Sequence, residues 1–317
     1  MTHAETAPFR FFSLRVDRTR RLGPSLVRVT FTGEDLKDFA AGGRDQSLSL
    51  FLPHPGQEAP VLPPLDGQDM YAVLGAWRAM PHEERAVMRS YTAREQRTGP
   101  DELDIDFALH EDGGPACRWA AGAAPGDRVV VLGPAVADNT AVRFRPPEDA
   151  DSVVIWADET ALPAASAILE WLPAGTRARV FLEVPHSGDR TELPTAADAE
   201  VTWLVREEGA PSAVDAVRGA ELPGASPYVW IAGESGSVKA LRRHFVRERG
   251  LDRRRVTFVG YWRKGLSEDA LREVPDETRE DAARDEAAHS GTAHGEAARD
   301  EAAHGETTRD QAARDQA

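Results

Sequence analysis

Arg89-Ser90-Tyr91-Thr92-Ala93-Arg94 and, starting sixteen residues beyond it, His110-Glu111-Asp112-Gly113-Gly114-Pro115 carry the densest chemistry of this 317-residue chain. Two arginines flank a Tyr-Thr pair. Arginine forks bind phosphate oxygens bidentately. A tyrosine ring stacks on a flat heterocycle, and a neighbouring hydroxyl bonds a ring nitrogen. The second segment is a glycine turn that runs into Pro115-Ala116-Cys117-Arg118-Trp119. Proline suits the first turn of a helix, and the free N–H groups of a helix start attract phosphate. Ring platform, phosphate forks and helix start together describe a site for a dinucleotide with an aromatic head, for which flavin adenine dinucleotide (FAD) is the natural candidate.

Around this segment the chain reads as β structure. Val27, Val29 and Phe31 alternate with Arg28, Thr30 and Thr32, and Leu103, Ile105, Phe107 and Leu109 alternate with polar or small residues. Period two marks half-buried strands. Ser47–Leu52 and Arg128–Leu132 predict further strands, and Leu22-Gly23-Pro24-Ser25 a turn. Short strands with turn signals predict a small antiparallel barrel. Residues 53–64 are proline-rich and predict a loop, with a short helix over Met70–Met80. After Arg145-Pro146-Pro147-Glu148-Asp149-Ala150-Asp151 the pattern changes. Val153–Trp156, Val180–Val184, Val201–Val205, Tyr228–Ala232 and Val256–Tyr261 read as strands. Leu162–Leu172 and Val238–Arg249 between them read as helices, which predicts a mainly parallel sheet. The expected division is a barrel domain over 1–148, an α/β domain over 149–274 and a tail over 275–317. In the tail, Ala282–His289 recurs identically as Ala297–His304, and there are twelve acidic and five basic residues. Alanine and charge cannot bury enough surface to offset ordering entropy, so the tail is expected to be disordered. Metal binding by its His289, His294 and His304 is the lesser reading.

The order of these motifs resembles the siderophore-interacting protein family, the flavin-dependent ferric-siderophore reductases of the ferredoxin reductase superfamily. The resemblance runs from about Phe9 to about Gly265. It rests on Tyr91-Thr92-Ala93-Arg94, Asp106–His110 running into Gly114-Pro115, Asp158-Glu159-Thr160-Ala161-Leu162-Pro163-Ala164, Ala232-Gly233-Glu234 and Gly260-Tyr261-Trp262-Arg263. It implies that Tyr91 stacks on the isoalloxazine, that Thr92 reaches its N5 edge, and that Arg89 or Arg94 holds the pyrophosphate. His110 and the Gly114-Pro115 turn are implied at the flavin phosphates. Cys117 stands where relatives usually carry serine. It reads either as a weaker phosphate donor packed in place or as an activated thiol at a helix start. Asp158, Glu159 and Thr160 are implied on one side of the pocket for NADH or NADPH, and Gly233 and Glu234 on the other. Arg206 reads equally as a contact to a cofactor phosphate and as a surface arginine. Tyr261-Trp262 either flanks the flavin or packs between domains.

Relatives commonly show histidine and a basic residue where Ser47 and Ser49 stand here. An anionic ferric siderophore needs positive charge, so Arg263 and Lys264 are the expected substitutes, with Arg242 behind them. Arg190 and Arg206 are candidates for a 2′-phosphate, but neither sits in a pattern that separates NADPH from NADH. The net charge of −15 argues against a nucleic-acid partner, and no run of about 18 apolar residues predicts a membrane span. The N-terminus lacks the pattern of a signal peptide, and a single cysteine excludes an internal disulfide. These features predict a cytoplasmic protein. Two rivals stay open: a flavin reductase serving another acceptor, and a siderophore-binding protein with little turnover.

Overall fold

A computed structural model describes residues 7–65, 69–110 and 113–265. The tail, and with it the expected disorder and the three tail histidines, lies outside the described residues. So do Glu111 and Asp112.

The first sheet is antiparallel. Its strands are β1 (Phe9–Gly23), β2 (Leu26–Thr32), β3 (Ser47–Leu52), β4 (Val87–Thr92), β5 (Glu95–Arg97), β6 (Glu102–Ala108) and β7 (Arg128–Pro134). Their order across the sheet is β4-β3-β7-β1-β2-β6-β5. The sheet curls until its two ends approach: Arg94 N–H, just past β4, donates to the Asp104 carbonyl of β6 at 2.9 Å. The ladder stays open between β4 and β5, so the predicted barrel is a half-barrel. Alternation fills it: Phe12, Leu14, Val29, Phe31, Leu50, Ile105, Phe107 and Val131 point into one core. Helix α1 (Met70–Ala79), capped by the Asp69 carboxylate, covers a smaller cluster of Phe51, Trp77 and Met88. Helix α2 (Pro115–Gly122) follows the glycine turn and packs Ala116 and Ala120 on the half-barrel core.

The second sheet is parallel and ordered β10-β9-β8-β11-β12. It consists of β8 (Ser152–Ala157), β9 (Arg177–Val184), β10 (Asp198–Val205), β11 (Pro227–Glu234) and β12 (Val256–Trp262), with α3 (Leu162–Trp171), α4 (Ala213–Arg218) and α5 (Ser235–Arg243) as crossovers. Every residue of β8, and all of β11 but Glu234, is buried. That is the pattern of central strands covered on both faces. One face packs on α3 and the other on α4 and α5. The chain leaves β8 toward β9 and β10 and then returns to β11 on β8's other flank. The direction therefore switches between β8 and β11, where ligands of such sheets bind at the carboxyl ends of the strands.

The two sheets are joined by specific contacts. Leu26 and Phe144 pack in the core of the parallel sheet. The buried Asp45 carboxylate accepts from Trp230 Nε1 (3.0 Å) and from the Arg143 and Phe144 amides. Asp189 accepts from the Ser25 amide and hydroxyl at 2.8 and 2.7 Å. A buried carboxylate needs such donors, so these pairs fix how the half-barrel meets the parallel sheet.

Candidate active site

The carboxyl ends of β8, β11 and β12 are tied by one side chain. Asp158, buried at the end of β8, accepts from the Thr160 amide (2.9 Å) and hydroxyl (2.6 Å) and from the Ala161 amide (3.3 Å) through Oδ1. Its Oδ2 accepts from the Glu234 amide and from Trp262 Nε1, both at 2.7 Å. Burial, and the neighbouring Glu159 charge, push the Asp158 carboxyl above its ordinary range, while these donors pull it back. Gly233 makes the knot possible: its φ is 141°, and a Cβ there would lie 2.5 Å from Asp158 Cγ. Glu234 is the N-cap of α5, accepting from the Gly236 and Ser237 amides, and it also takes the Lys264 amide at 3.3 Å. Three residues expected to touch a nicotinamide therefore have their polar groups engaged with one another and with helix starts.

Glu159 is equally committed. Its side chain is 1% exposed and receives both Arg206 guanidinium nitrogens, at 2.7 and 3.0 Å. Arg206 also reaches Glu183 at 3.0 Å. Of the two readings left for Arg206, the structure favours neither a phosphate ligand standing ready nor a loose surface arginine. It neutralises a buried carboxylate.

Across from this cluster stands the half-barrel. His110 lies 6.0 Å from the Trp262 ring, centroid to centroid, and its Nδ1 is 4.0 Å from Glu159 Oε1. The buried Thr92 at the end of β4 neighbours Tyr261, whose phenol is pushed up by burial and by the Asp45 charge and drawn back by the Thr92 side chain. Tyr91 lies 4.4 Å from the Phe107 ring and stays half-buried. Arg94 spans the halves in a different way, with both nitrogens on Glu170 of α3 at 2.5 and 3.0 Å. Arg89 is buried and donates to the Met88 carbonyl, among its contacts.

The turn before α2 is braced by Cys117. The His110 amide donates to Cys117 Sγ at 3.2 Å, and the thiol faces the His110 carbonyl at 3.5 Å. Gly113 has no room for a Cβ, which would meet that sulfur at 2.2 Å. Cys117 thus holds the turn. Its sulfur is engaged with the His110 backbone, which accords with the reading of a side chain packed in place. Arg263 and Lys264 are exposed just past β12. Ser47 pairs with Thr92, and Ser49 with Ser90, across the β3–β4 ladder, so these four positions carry no charge.

The residues present fit FAD. The N-cap of α2 is Gly114, which supplies no side-chain cap, and a Cβ built on it meets open space. First-turn amides without a side-chain partner, facing open space, suit a pyrophosphate. The signal that sequence reading missed is Asp45, an unremarked carboxylate that orients both halves, together with the Trp262 indole bond to Asp158.

An antiparallel half-barrel with an uncapped helix start, set against the switch point of a parallel sheet, is the ferredoxin-reductase fold. That fold alone is shared with the ferredoxin reductase of carbazole 1,9a-dioxygenase, at 15% identity and a TM-score of 0.56 over 81% of this chain and 71% of that one. Residues 15–138 match the siderophore-interacting FAD-binding domain, and residues 150–265 match the siderophore-interacting protein family. The chain belongs to the siderophore-interacting protein family. It is 33% identical over 260 residues to ferric vibriobactin reductase of Vibrio cholerae, covering 81% of this chain and 90% of that protein. It is 32% identical over 257 residues to the NADPH-dependent ferric-chelate reductase of Escherichia coli, covering 80% and 93%. The siderophore-interacting protein SipS of Aeromonas hydrophila superposes with a TM-score of 0.68 at 36% identity, covering 83% of this chain and 96% of that one. Among the described residues no helix is long and apolar enough to cross a membrane, and no group of acidic, histidine or cysteine side chains could hold a metal ion.

Proposed function

We propose that this chain is an NAD(P)H-dependent ferric-siderophore reductase that carries FAD. The observation behind this reading is the meeting of flavin-side and coenzyme-side residues in one place. Thr92 neighbours Tyr261, and His110 faces Trp262 and Glu159. The relatives named as ferric reductases support the same reading.

Residues 1–148 would hold FAD, with Tyr91 under the ring, Thr92 at its edge, and the Gly114 amide, the α2 amides that follow Pro115 and Arg89 at the phosphates. Residues 149–274 would hold the coenzyme over the β8–β11 crevice at the carboxyl ends of the strands. When bound, FAD supplies the conversion of a two-electron hydride into single electrons. The chain's own residues orient and screen. The Asp158 knot fixes Trp262 and the α3 and α5 starts, and the apolar walls exclude water. One coenzyme delivers two electrons and so reduces two ferric ions, and the ferrous product binds its chelator more weakly. Arg263 and Lys264 would attract an anionic chelate, and the tail at 275–317 takes no part. A reductase fed by reduced coenzyme belongs in the cytoplasm, where that coenzyme is regenerated.

The test is anaerobic rapid mixing. Purified yellow protein is expected to bleach with NADH or NADPH and to regain its colour when a ferric siderophore is added. Bleaching without reoxidation by ferric chelates points to another acceptor. No bleaching by either coenzyme overturns the reductase reading.

A further inference from the structure

We propose that this chain selects NADH over NADPH, and that the carboxylates following β9 and β10 impose the choice. The inference rests on the reading of a nicotinamide coenzyme at the β8–β11 switch point. In such a sheet the diphosphate lies at the crevice, and the adenosine ribose lies over the end of the neighbouring strand, here β9. The two coenzymes differ only there, by a 2′-phosphate, a monoester that carries about −1.5 to −2 charge.

Residues 158–161, 185–193 and 206–212 follow β8, β9 and β10 and form that edge. Their basic residues are His186, Arg190 and Arg206. Each one is paired with a carboxylate. Arg206 holds the buried Glu159 with two nitrogens and Glu183 with one. His186 Nδ1 meets Glu207 Oε2 at 2.8 Å. Arg190 meets Glu208 at 2.6 Å. Glu207 is held in place by the Ser187 amide and hydroxyl, at 2.6 and 2.7 Å on Oε1. Glu192 adds a further exposed acid.

These pairs differ in strength. Arg190–Glu208 is an exposed pair and exchanges partners easily. If Arg190 turned to a 2′-phosphate, however, Glu208 would lose its partner beside Glu207 and close to the new dianion. Arg206 is not released at all without leaving Glu159 charged and buried. The surface under the ribose is therefore acidic in sum, with no guanidinium to spare. Repulsion of this kind is the repulsive element that separates two near-identical ligands. A free ribose 2′-hydroxyl, in contrast, is a donor that carboxylates accept. The Escherichia coli relative is named NADPH-dependent, so the proposal sets this chain apart from it.

The experiment has two readouts on the full-length, flavin-loaded protein. Anaerobic rapid mixing measures flavin bleaching against NADH and NADPH concentration. Calorimetry measures binding of ADP and 2′,5′-ADP, which carry only the adenosine end. The expected result is half-saturation at a roughly tenfold lower concentration of NADH, the effect of about one unfavourable charge contact, with ADP binding tighter than 2′,5′-ADP. The variant Glu207→Gln/Glu208→Gln, two exposed positions, is expected to close most of that gap. Equal use of both coenzymes, or a preference for NADPH, overturns the proposal while the reductase reading stands. A wild-type NADH preference that the double variant leaves unchanged overturns the role of these carboxylates. Bleaching by neither coenzyme overturns the reductase reading and this proposal together.

Discussion

Replacing Arg206 with alanine tests whether this side chain is a structural counter-ion. Glu159 is 1% exposed and receives two guanidinium hydrogen bonds, at 2.7 and 3.0 Å. Removing one partner of a buried pair costs about 3–5 kcal/mol, because the other charge is left uncompensated. Arg206 itself is 42% exposed, so water enters where it stood and the lower end applies, about 3 kcal/mol. In a protein of this size each kcal/mol lowers Tm by roughly 2–4 °C, which predicts a fall of about 6–12 °C. Glu183 is a weaker partner, with one contact at 3.0 Å and its side chain 21% exposed, and Glu183→Gln should cost less than about 1 kcal/mol. Glu159→Gln/Arg206→Met removes both charges and should recover much of the loss. Differential scanning calorimetry on the wild type and these three variants measures the differences. If Arg206→Ala melts within about 2 °C of wild type, Glu159 does not depend on it. Arg206 would then be free for a coenzyme phosphate, contrary to the argument above.

Trp262→Phe deletes a hydrogen bond to the Asp158 carboxylate at 2.7 Å, about 1.5–3 kcal/mol where the acceptor is charged. Because that bond favours ionised Asp158, whose carboxyl is already raised by burial and by Glu159, its loss raises the carboxyl further. The destabilisation should therefore be larger at pH 8 than at pH 5, a trend that denaturant unfolding at the two pH values checks. Tyr91→Ala should weaken FAD binding by roughly 0.5–1.5 kcal/mol beyond lost area, read by flavin fluorescence titration; full affinity would move the ring platform elsewhere. Cys117→Ser keeps an acceptor for the His110 amide, so FAD content by absorbance and Tm should stay near wild type. Loss of reduction by coenzyme with FAD retained would reveal redox chemistry at the thiol. Arg263→Ala/Lys264→Ala should raise KM for an anionic ferric chelate, more at low salt than at high, and steady-state kinetics at two ionic strengths measure it.

The architecture was legible because it is written in short-range pattern. Val27, Val29 and Phe31 alternate, and the half-barrel core receives them. Val153–Trp156 and Tyr228–Ala232 run without polar interruption, and they are the covered central strands. Sequence reading predicted a barrel, and the sheet stays open between β4 and β5. Closure depends on strand tilt and register, which alternation does not encode. The site was legible in a narrower sense. The motifs at Asp158, Gly233-Glu234 and Tyr261-Trp262 are far apart in the chain, and the structure gathers them at the carboxyl ends of β8, β11 and β12. Their chemistry was not legible, because a carboxylate at the end of a parallel strand serves equally to bind a ligand or to tie down neighbouring backbone. Only partners decide between the two, and the partners are remote. Trp262 reaches Asp158 across 104 positions, and Arg206 reaches Glu159 across 47. Once those bonds are known, Asp158, Glu159, Glu234 and Arg206 account for one another's hydrogen bonds and charge. The groups that would then meet cofactor and substrate include the first-turn amides of α2, which have no side-chain cap, and the exposed Arg263 and Lys264.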